Sequence, residues 1–385
     1  MKQAVLIGAG QYGRGVIGML LSRSGYEVLL ADVNTSVIED INARGEYTVR
    51  RVRKEETAVC VRNVRAMHAA DPALIAECAA ADLICTCTGL TALPKIAVPL
   101  AQGLEMRRSA GNTEFLNVLA CENALGGSTI LKSHVSACLP EEGKAWLEQY
   151  IGFPDCAIDG IIPPNENNLP ADVTAEEYYE WDSLKAGFRG PLPEVEGLQI
   201  VDDLSPYLER KLFTLNGPNA VTGALGWARG LETVQEALFD PEIYDLVWKM
   251  MEEAGQMLCL RHGFTAEEML AYRSFIMDRF RNPSVIDSCV RVAREPIRKL
   301  SPNDRLIAPM RYANSFGLET PAYCRGIAAL MNYDNPADGQ SRELQELIRS
   351  LGFGKALERI TEIPENSEAA LKITEEYRKI AGHLC

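Results

Sequence analysis

Two hydrophobic rhythms divide the chain. Early on, short unbroken apolar runs alternate with helical stretches; later, apolar residues recur only at helical spacing. Ala4–Ile7 is a continuous apolar run, the pattern of a strand buried on both faces of a parallel sheet. Runs at Glu27–Ala31, Asp82–Thr88, Asn117–Ala120 and Ala157–Ile162 predict further strands, the last closed by Pro163-Pro164. Tyr47–Arg65 is rich in Val, Thr and Arg with partial alternation. It predicts strands at the sheet edge, with Arg50, Arg51 and Arg53 as a solvated border. Asn165–Gly197 has prolines, acids and glycines without a period, and reads as the crossing between two domains.

From Ser205 onward the strand signals vanish. Ser205 suits an N-cap and Pro206 a first helical position. The helix runs through Leu208, Leu212, Phe213 and Leu215 until Asn216-Gly217-Pro218 interrupts it, and a second helix restarts at Pro218. Leu246, Val247, Met250, Met251, Ala254, Met257 and Leu258 trace one helical face, stopped at His262-Gly263. Thr265 to Glu268 spells a capping box, and Arg342–Leu351 and Glu368–Ile380 are amphipathic. The expected fold is α/β: a Rossmann-type doubly wound sheet over 1–197, then a mostly α-helical domain over 198–385.

Composition narrows the function. A chain of 385 residues exceeds one compact core, which agrees with two domains. A net charge of −14 argues against nucleic acid or an anionic membrane as partner. The eleven cysteines are odd in number and contain no C-x-x-C, as expected of reduced thiols in the cytoplasm. No apolar run reaches transmembrane length, and Ala4 follows the N-terminus too closely for a signal peptide. The four histidines show no metal-ligand spacing, so a metal-independent mechanism is expected.

Gly8-Ala9-Gly10-Gln11-Tyr12-Gly13 is G-x-G-x-x-G between a predicted strand and a predicted helix. Gly8 permits the tight turn, Gly10 the approach of a pyrophosphate, and Gly13 close helix–sheet packing. Asp32, ending the second apolar run, is placed for a ribose 2′-hydroxyl and would repel a 2′-phosphate. The expected cofactor is therefore NAD. Thr88 and Gly89 end a strand whose tip faces the cofactor, and Asn123 ends the next, a candidate for the nicotinamide or the substrate carbonyl. A dinucleotide domain followed by a helical one implies a dehydrogenase, whose hydroxyl proton needs a side-chain acceptor. Lys211 is the candidate, with Asn216 and Asn123 as donors to the oxygen and Asn219 close by. Between Arg273 and Arg311 nine basic residues face four acids, a local +5. Arg291, Arg294 and Arg298 fall at i, i+3 and i+7, and with Arg305 they are candidates for a phosphate group. The competing reading is a solvated face, with Asp287 pairing Arg291 at i, i+4.

These segments resemble the polyol-specific long-chain dehydrogenase/reductase family along essentially the whole chain. The similarity covers Gly8–Gly15, Ala31–Asn34, Ala120–Asn123, Glu209–Asn216, Arg279–Pro283 and Asn303–Leu306. It implies reversible, metal-free oxidation of D-mannitol 1-phosphate to fructose 6-phosphate by NAD, in a monomer. By position, Lys211 is the acid/base and Asn216 with Asn123 the oxyanion pair. Two positions depart from the family pattern. Asn219 stands where K-x-x-x-x-N-x-x-H has its histidine, and Gly160 where an arginine is usual. Both bear on the substrate. A related polyol dehydrogenase, a hexuronate reductase and a non-catalytic dinucleotide-binding paralogue are the alternatives.

Overall fold

The computed structural model describes residues 1–52, 56–122, 126–162, 169–283 and 286–383. They form two compact units, Met1–Leu204 and Ser205–Cys385. The first unit contains β1 (Lys2–Ile7), β2 (Tyr26–Asp32), β3 (Tyr47–Val52), β4 (Glu56–Val61), β5 (Val64–His68) and β6 (Leu83–Thr86). It continues with β7 (Leu116–Ala120), β8 (Ile151–Gly152), β9 (Cys156–Asp159), β10 (Val173–Glu176), β11 (Glu180–Leu184) and β12 (Leu198–Val201).

Six strands pair in the order β5-β2-β1-β6-β7-β8, all parallel. The unbroken apolar runs follow from burial on both faces. Ala4 and Leu6 of β1 join Val28, Leu30, Leu83 and Cys85 in one core. Val5 and Ile7, pointing the other way, join Leu29, Ala31 and Ile84 in a second. Strand order reverses between β1 and β6, so the crevice beyond their carboxyl ends is where such sheets take a ligand.

Three local expectations change. Tyr47–Arg65 does not simply edge the main sheet. β3 and β4 form a separate sheet with β10, and only β5 joins the parallel one. Arg51 is not a free border residue either; it donates to the Glu177 carbonyl and lies over the Tyr179 ring. The segment read as a crossing contains β10 and β11, and β11 pairs antiparallel with β9 and parallel with β12. Its period was hidden because Trp181, Asp182 and Ser183 are buried together, polar and apolar alike. Arg53 and Pro163-Pro164 lie outside the described residues.

The second unit is helical and built around Pro241–His262. Leu246, Val247, Met250, Met251, Ala254, Met257 and Leu258 are all buried along it. Asp240 caps its start, and Gly263, at φ 77°, ends it. Thr265 and Glu268 make the reciprocal bonds of a capping box for Ala266–Phe280. Glu253, on the long helix, accepts hydrogen bonds from the Ala322 and Tyr323 N–H groups at 2.8 and 3.0 Å. It thereby caps the helix Pro321–Met331 from outside. Burial outweighs those bonds and raises the Glu253 carboxyl to about 7.

Between the ordinary carboxyl range and pH 7 the folded protein thus holds a proton that the unfolded chain has lost, so stability falls as pH rises through that window. Glu253→Gln keeps the neutral form at every pH. Thermal melts of both proteins at pH 5 and pH 8 should show wild type losing ground to the variant at pH 8. Parallel shifts in the two would refute this account.

Candidate functional site

In the first unit the glycine-rich turn has the geometry its sequence demands. Gly8 sits at φ 93°, and a side chain there would lie 2.5 Å from the Cys87 carbonyl oxygen. A Cβ at Gly13 would overlap the Gly8 carbonyl, so only glycine lets the helix approach the strand this closely. Gly10 has no heavy atom within 4 Å of the equivalent point. That open cradle, which a side chain would fill, fits the approach of a pyrophosphate to the backbone. At the tip of β2, Asp32 Oδ1 accepts from the Val33 and Asn34 N–H groups at 2.8 and 2.9 Å. This fixes the carboxylate beside the exposed Val33, with no basic residue immediately following.

Two residues outside the sequence-based set hold this turn and the loop after β6. Arg14 is buried; its Nε donates to the Ala171 carbonyl at 2.9 Å and its Nη1 to the Ala9 carbonyl inside the turn. Burial lowers its pKa, but an arginine remains a cation, held here by carbonyls. Glu122 is also buried. Its Oε1 accepts from Thr86 Oγ1 at 2.8 Å and Thr88 N at 2.9 Å, and its Oε2 from Gly89 N at 2.7 Å. An acid two residues beyond the fully buried β7 was the available signal for it. Asn123 lies outside the described residues. Gly160 is covered by the Tyr12 ring, 3.2 Å from where a Cβ would be, so a larger residue would have to displace that ring.

In the second unit the helix expected to break at Asn216-Gly217-Pro218 does not break. Ser205–Lys211 is α-helical, Leu212–Asn216 is π-helical, and Gly217–Ala228 is α-helical again. The cause is Pro218, which has no N–H for the carbonyl four residues back and whose ring would collide with it. Widening the turn resolves the conflict: Gly217 N–H reaches back five residues to the Leu212 carbonyl. The Phe213 carbonyl, deprived of that N–H, accepts the hydroxyl of fully buried Tyr323 at 2.8 Å. Lys211, Asn216 and Asn219 occupy positions i, i+5 and i+8. At about 100° per residue a regular helix would spread them over roughly 140°. The extra residue of the π turn makes them equivalent to i, i+4 and i+7, within about 60°. All three are half-buried, and Asn219 Oδ1 has no partner among the described residues.

The basic segment lies against this helix. Gly223 and Gly226 let Cys289–Ala293 pack at backbone distance, and Gly217 meets the Arg305 carbonyl. Arg291, Arg294 and Arg298 do not share one helical face. Pro296 and a left-handed Glu295 split the segment into Cys289–Ala293 and Pro296–Lys299. Arg291 makes a bidentate pair with Asp287. Arg298 pairs with Glu295 at 2.8 Å and Asp304 at 3.6 Å, and Arg305 Nε with Asp304 at 2.7 Å. Among the described residues, Arg294 alone of the four has no carboxylate partner. Lys299 is buried and donates to the Val292 carbonyl; burial first, then Arg305 and Arg298, lower its pKa to about 7.

Comparison with known proteins covers both units. Residues 2–197 match the family profile described as mannitol dehydrogenase Rossmann domain, and residues 203–381 that of the mannitol dehydrogenase C-terminal domain. The chain is similar to the mannitol 2-dehydrogenase of Pseudomonas fluorescens, solved as a ternary complex with NAD and D-mannitol. Identity is 17%, the TM-score 0.74, and coverage 100% of this chain and 93% of that one. A D-sorbitol dehydrogenase in substrate-free form is similar at 17% identity and a TM-score of 0.83, covering 99% of this chain and 93% of that one.

The two glycines of the turn should separate fold from ligand. Gly13→Ala drives a methyl into the Gly8 carbonyl and should cost about 1–3 kcal/mol of stability. Gly10→Val meets open space and should melt like wild type while binding NADH at least about tenfold more weakly. Fluorescence titration with NADH beside thermal melts checks both; equal NADH affinity in Gly10→Val would refute the cradle.

Proposed function

The chain belongs to the mannitol dehydrogenase family, and from that membership we propose that it is an NAD-dependent polyol dehydrogenase interconverting D-mannitol 1-phosphate and D-fructose 6-phosphate. The observation that carries the chemistry is the π turn that gathers Lys211, Asn216 and Asn219 on one side of their helix. Bound NAD supplies the acceptor for the hydride leaving the carbinol carbon. Lys211 takes the hydroxyl proton during oxidation and returns it during reduction. Asn216, with Asn123, donates hydrogen bonds to the oxygen as it gains negative character. The open turn at Gly10 and the oriented Asp32 support NAD on the other unit.

The phosphate specificity rests on the basic segment beside Gly217. Arg294 has no carboxylate partner among the described residues, and Arg305 is held to Asp304 through Nε, which keeps its terminal nitrogens for a ligand. A second reading, an unphosphorylated polyol or a hexuronate as substrate, is favoured by the ion pairs that already occupy Arg291 and Arg298. It also draws on the similar mannitol 2-dehydrogenase, whose complex holds D-mannitol.

NADH oxidation separates these readings. Fructose 6-phosphate should be reduced far faster than fructose or a hexuronate, and equal rates would favour the second reading. Lys211→Ala should lower kcat on the order of a hundredfold or more while NADH still binds; near-wild-type turnover would sink the lysine mechanism. Asn219→His should restore the family pattern at that position and alter relative rates among substrates without changing NADH affinity. No turnover of any polyol or ketose phosphate, despite NADH binding, would point to a non-catalytic paralogue.

A further inference from the structure

Glu122 takes no part in the chemistry just described, yet both oxygens of its buried carboxylate are engaged. Its hydrogen-bond partners among the described residues are all donors: Thr86 Oγ1 at 2.8 Å, Thr88 N at 2.9 Å and Thr88 Oγ1 at 3.4 Å to Oε1, and Gly89 N at 2.7 Å to Oε2. It is 4% exposed. Such a site asks for a group that accepts at both oxygens, which among side chains only an ionised carboxylate provides. The bonds cross from the end of β7 to the loop after β6, and Gly89 adopts a left-handed φ of 82° there. That loop in turn backs the cofactor turn: a side chain at Gly8 would meet the Cys87 carbonyl at 2.5 Å and Thr88 Cγ2 at 2.7 Å. The two loops flank the point where strand order reverses.

We propose that Glu122 is a positioning residue for the dinucleotide, setting Thr88 and Gly89 against the glycine-rich turn so that both loops meet the bound cofactor. The inference rests on the reading of that turn as an NAD site. Glu122→Gln tests it with little change of volume. Whichever way the amide is turned, its NH2 faces either the Gly89 N–H or the Thr88 N–H, so one backbone donor loses its acceptor. Thr86→Val is the control: it removes the Thr86 donor to the same carboxylate and leaves the bonds to Thr88 and Gly89 in place.

NADH affinity is measured by fluorescence titration, melting temperature by thermal unfolding, and KM for NAD apart from kcat. Glu122→Gln should bind NADH about tenfold more weakly and raise KM for NAD to match, with kcat at saturating NAD within about threefold of wild type. Thr86→Val should melt lower but bind NADH like wild type. If wild type binds NADH and Glu122→Gln binds it equally well, the proposal falls while the NAD site stands. If both variants weaken binding in step with lost stability, Glu122 is structural only. If wild type binds no NADH, the NAD reading itself fails and the proposal with it. Should Glu122→Gln not fold, Glu122→Asp keeps the charge but is too short to span Thr88 and Gly89, and wild-type NADH affinity in it would overturn the proposal.

Discussion

A missing hydrogen shapes the second unit. Pro218 cannot donate to the carbonyl four residues before it, so the helix carrying Lys211 must either break or rearrange. It rearranges, and two of the carbonyls around the wide turn find partners. Leu212 O takes the Gly217 N–H, and Phe213 O takes the Tyr323 hydroxyl inside the core. A buried carbonyl left without a donor would cost about 1–3 kcal/mol, comparable to the distortion that the π turn replaces. Tyr323 is itself fixed near the start of a helix whose first N–H groups are held by Glu253. The face presented by Lys211, Asn216 and Asn219 therefore depends on a chain of bonds reaching two other helices.

The first unit solves a comparable problem with charge. Its two loops beyond β1 and β6 are irregular backbone, and irregular backbone needs acceptors and donors from elsewhere. Arg14 supplies donors to carbonyls around the glycine turn, and Glu122 supplies acceptors to the amides of the Thr88-Gly89 loop. Both are buried side chains bonded mostly to backbone groups. Burying an ion is unfavourable unless its hydrogen-bonding capacity is filled. That cost leaves little freedom for either loop to relax, which suits a surface meant to meet a rigid pyrophosphate.

The sequence is legible where one residue type answers one physical demand. Unbroken apolar runs give the parallel strands, because only strands buried on both faces need them, and the glycine spacing gives the turn, because no other residue fits Gly8 and Gly13. Thr265 and Glu268 give a helix start. Legibility fails where the outcome depends on partners distant in sequence. Asn216-Gly217-Pro218 reads as a stop, and nothing local reveals that Tyr323, more than a hundred residues later, makes a wide turn acceptable. Arg291, Arg294 and Arg298 read as one face by spacing, but Pro296 ends the first short helix before Arg298 can extend it. Arg14 lies within Gly8–Gly15 and Glu122 within Ala120–Asn123, yet their importance lies in the orphan groups they satisfy, which spacing does not display.

Hydrogen-bonding capacity also sorts the candidates on the substrate side. Asp287 engages Arg291 through two nitrogens and leaves it little capacity for another anion. Asp304 holds Arg305 through Nε, an arrangement that orients a guanidinium while its terminal N–H groups remain available. A phosphate would thus find its donors at Arg305 and Arg294 sooner than at Arg291. Asn219 makes the opposite demand: its buried Oδ1 is an acceptor without a donor among the described residues. A phosphate at neutral pH brings mainly acceptor oxygens and does nothing for it, whereas a sugar hydroxyl brings a proton. Where the family pattern has a histidine that can carry charge, this chain has an amide whose unmet need is a neutral donor. If Asn219 faces the substrate as proposed, its Oδ1 suits a hydroxyl rather than a phosphate, and a choice between a phosphorylated and an unphosphorylated polyol would then fall to the arginines.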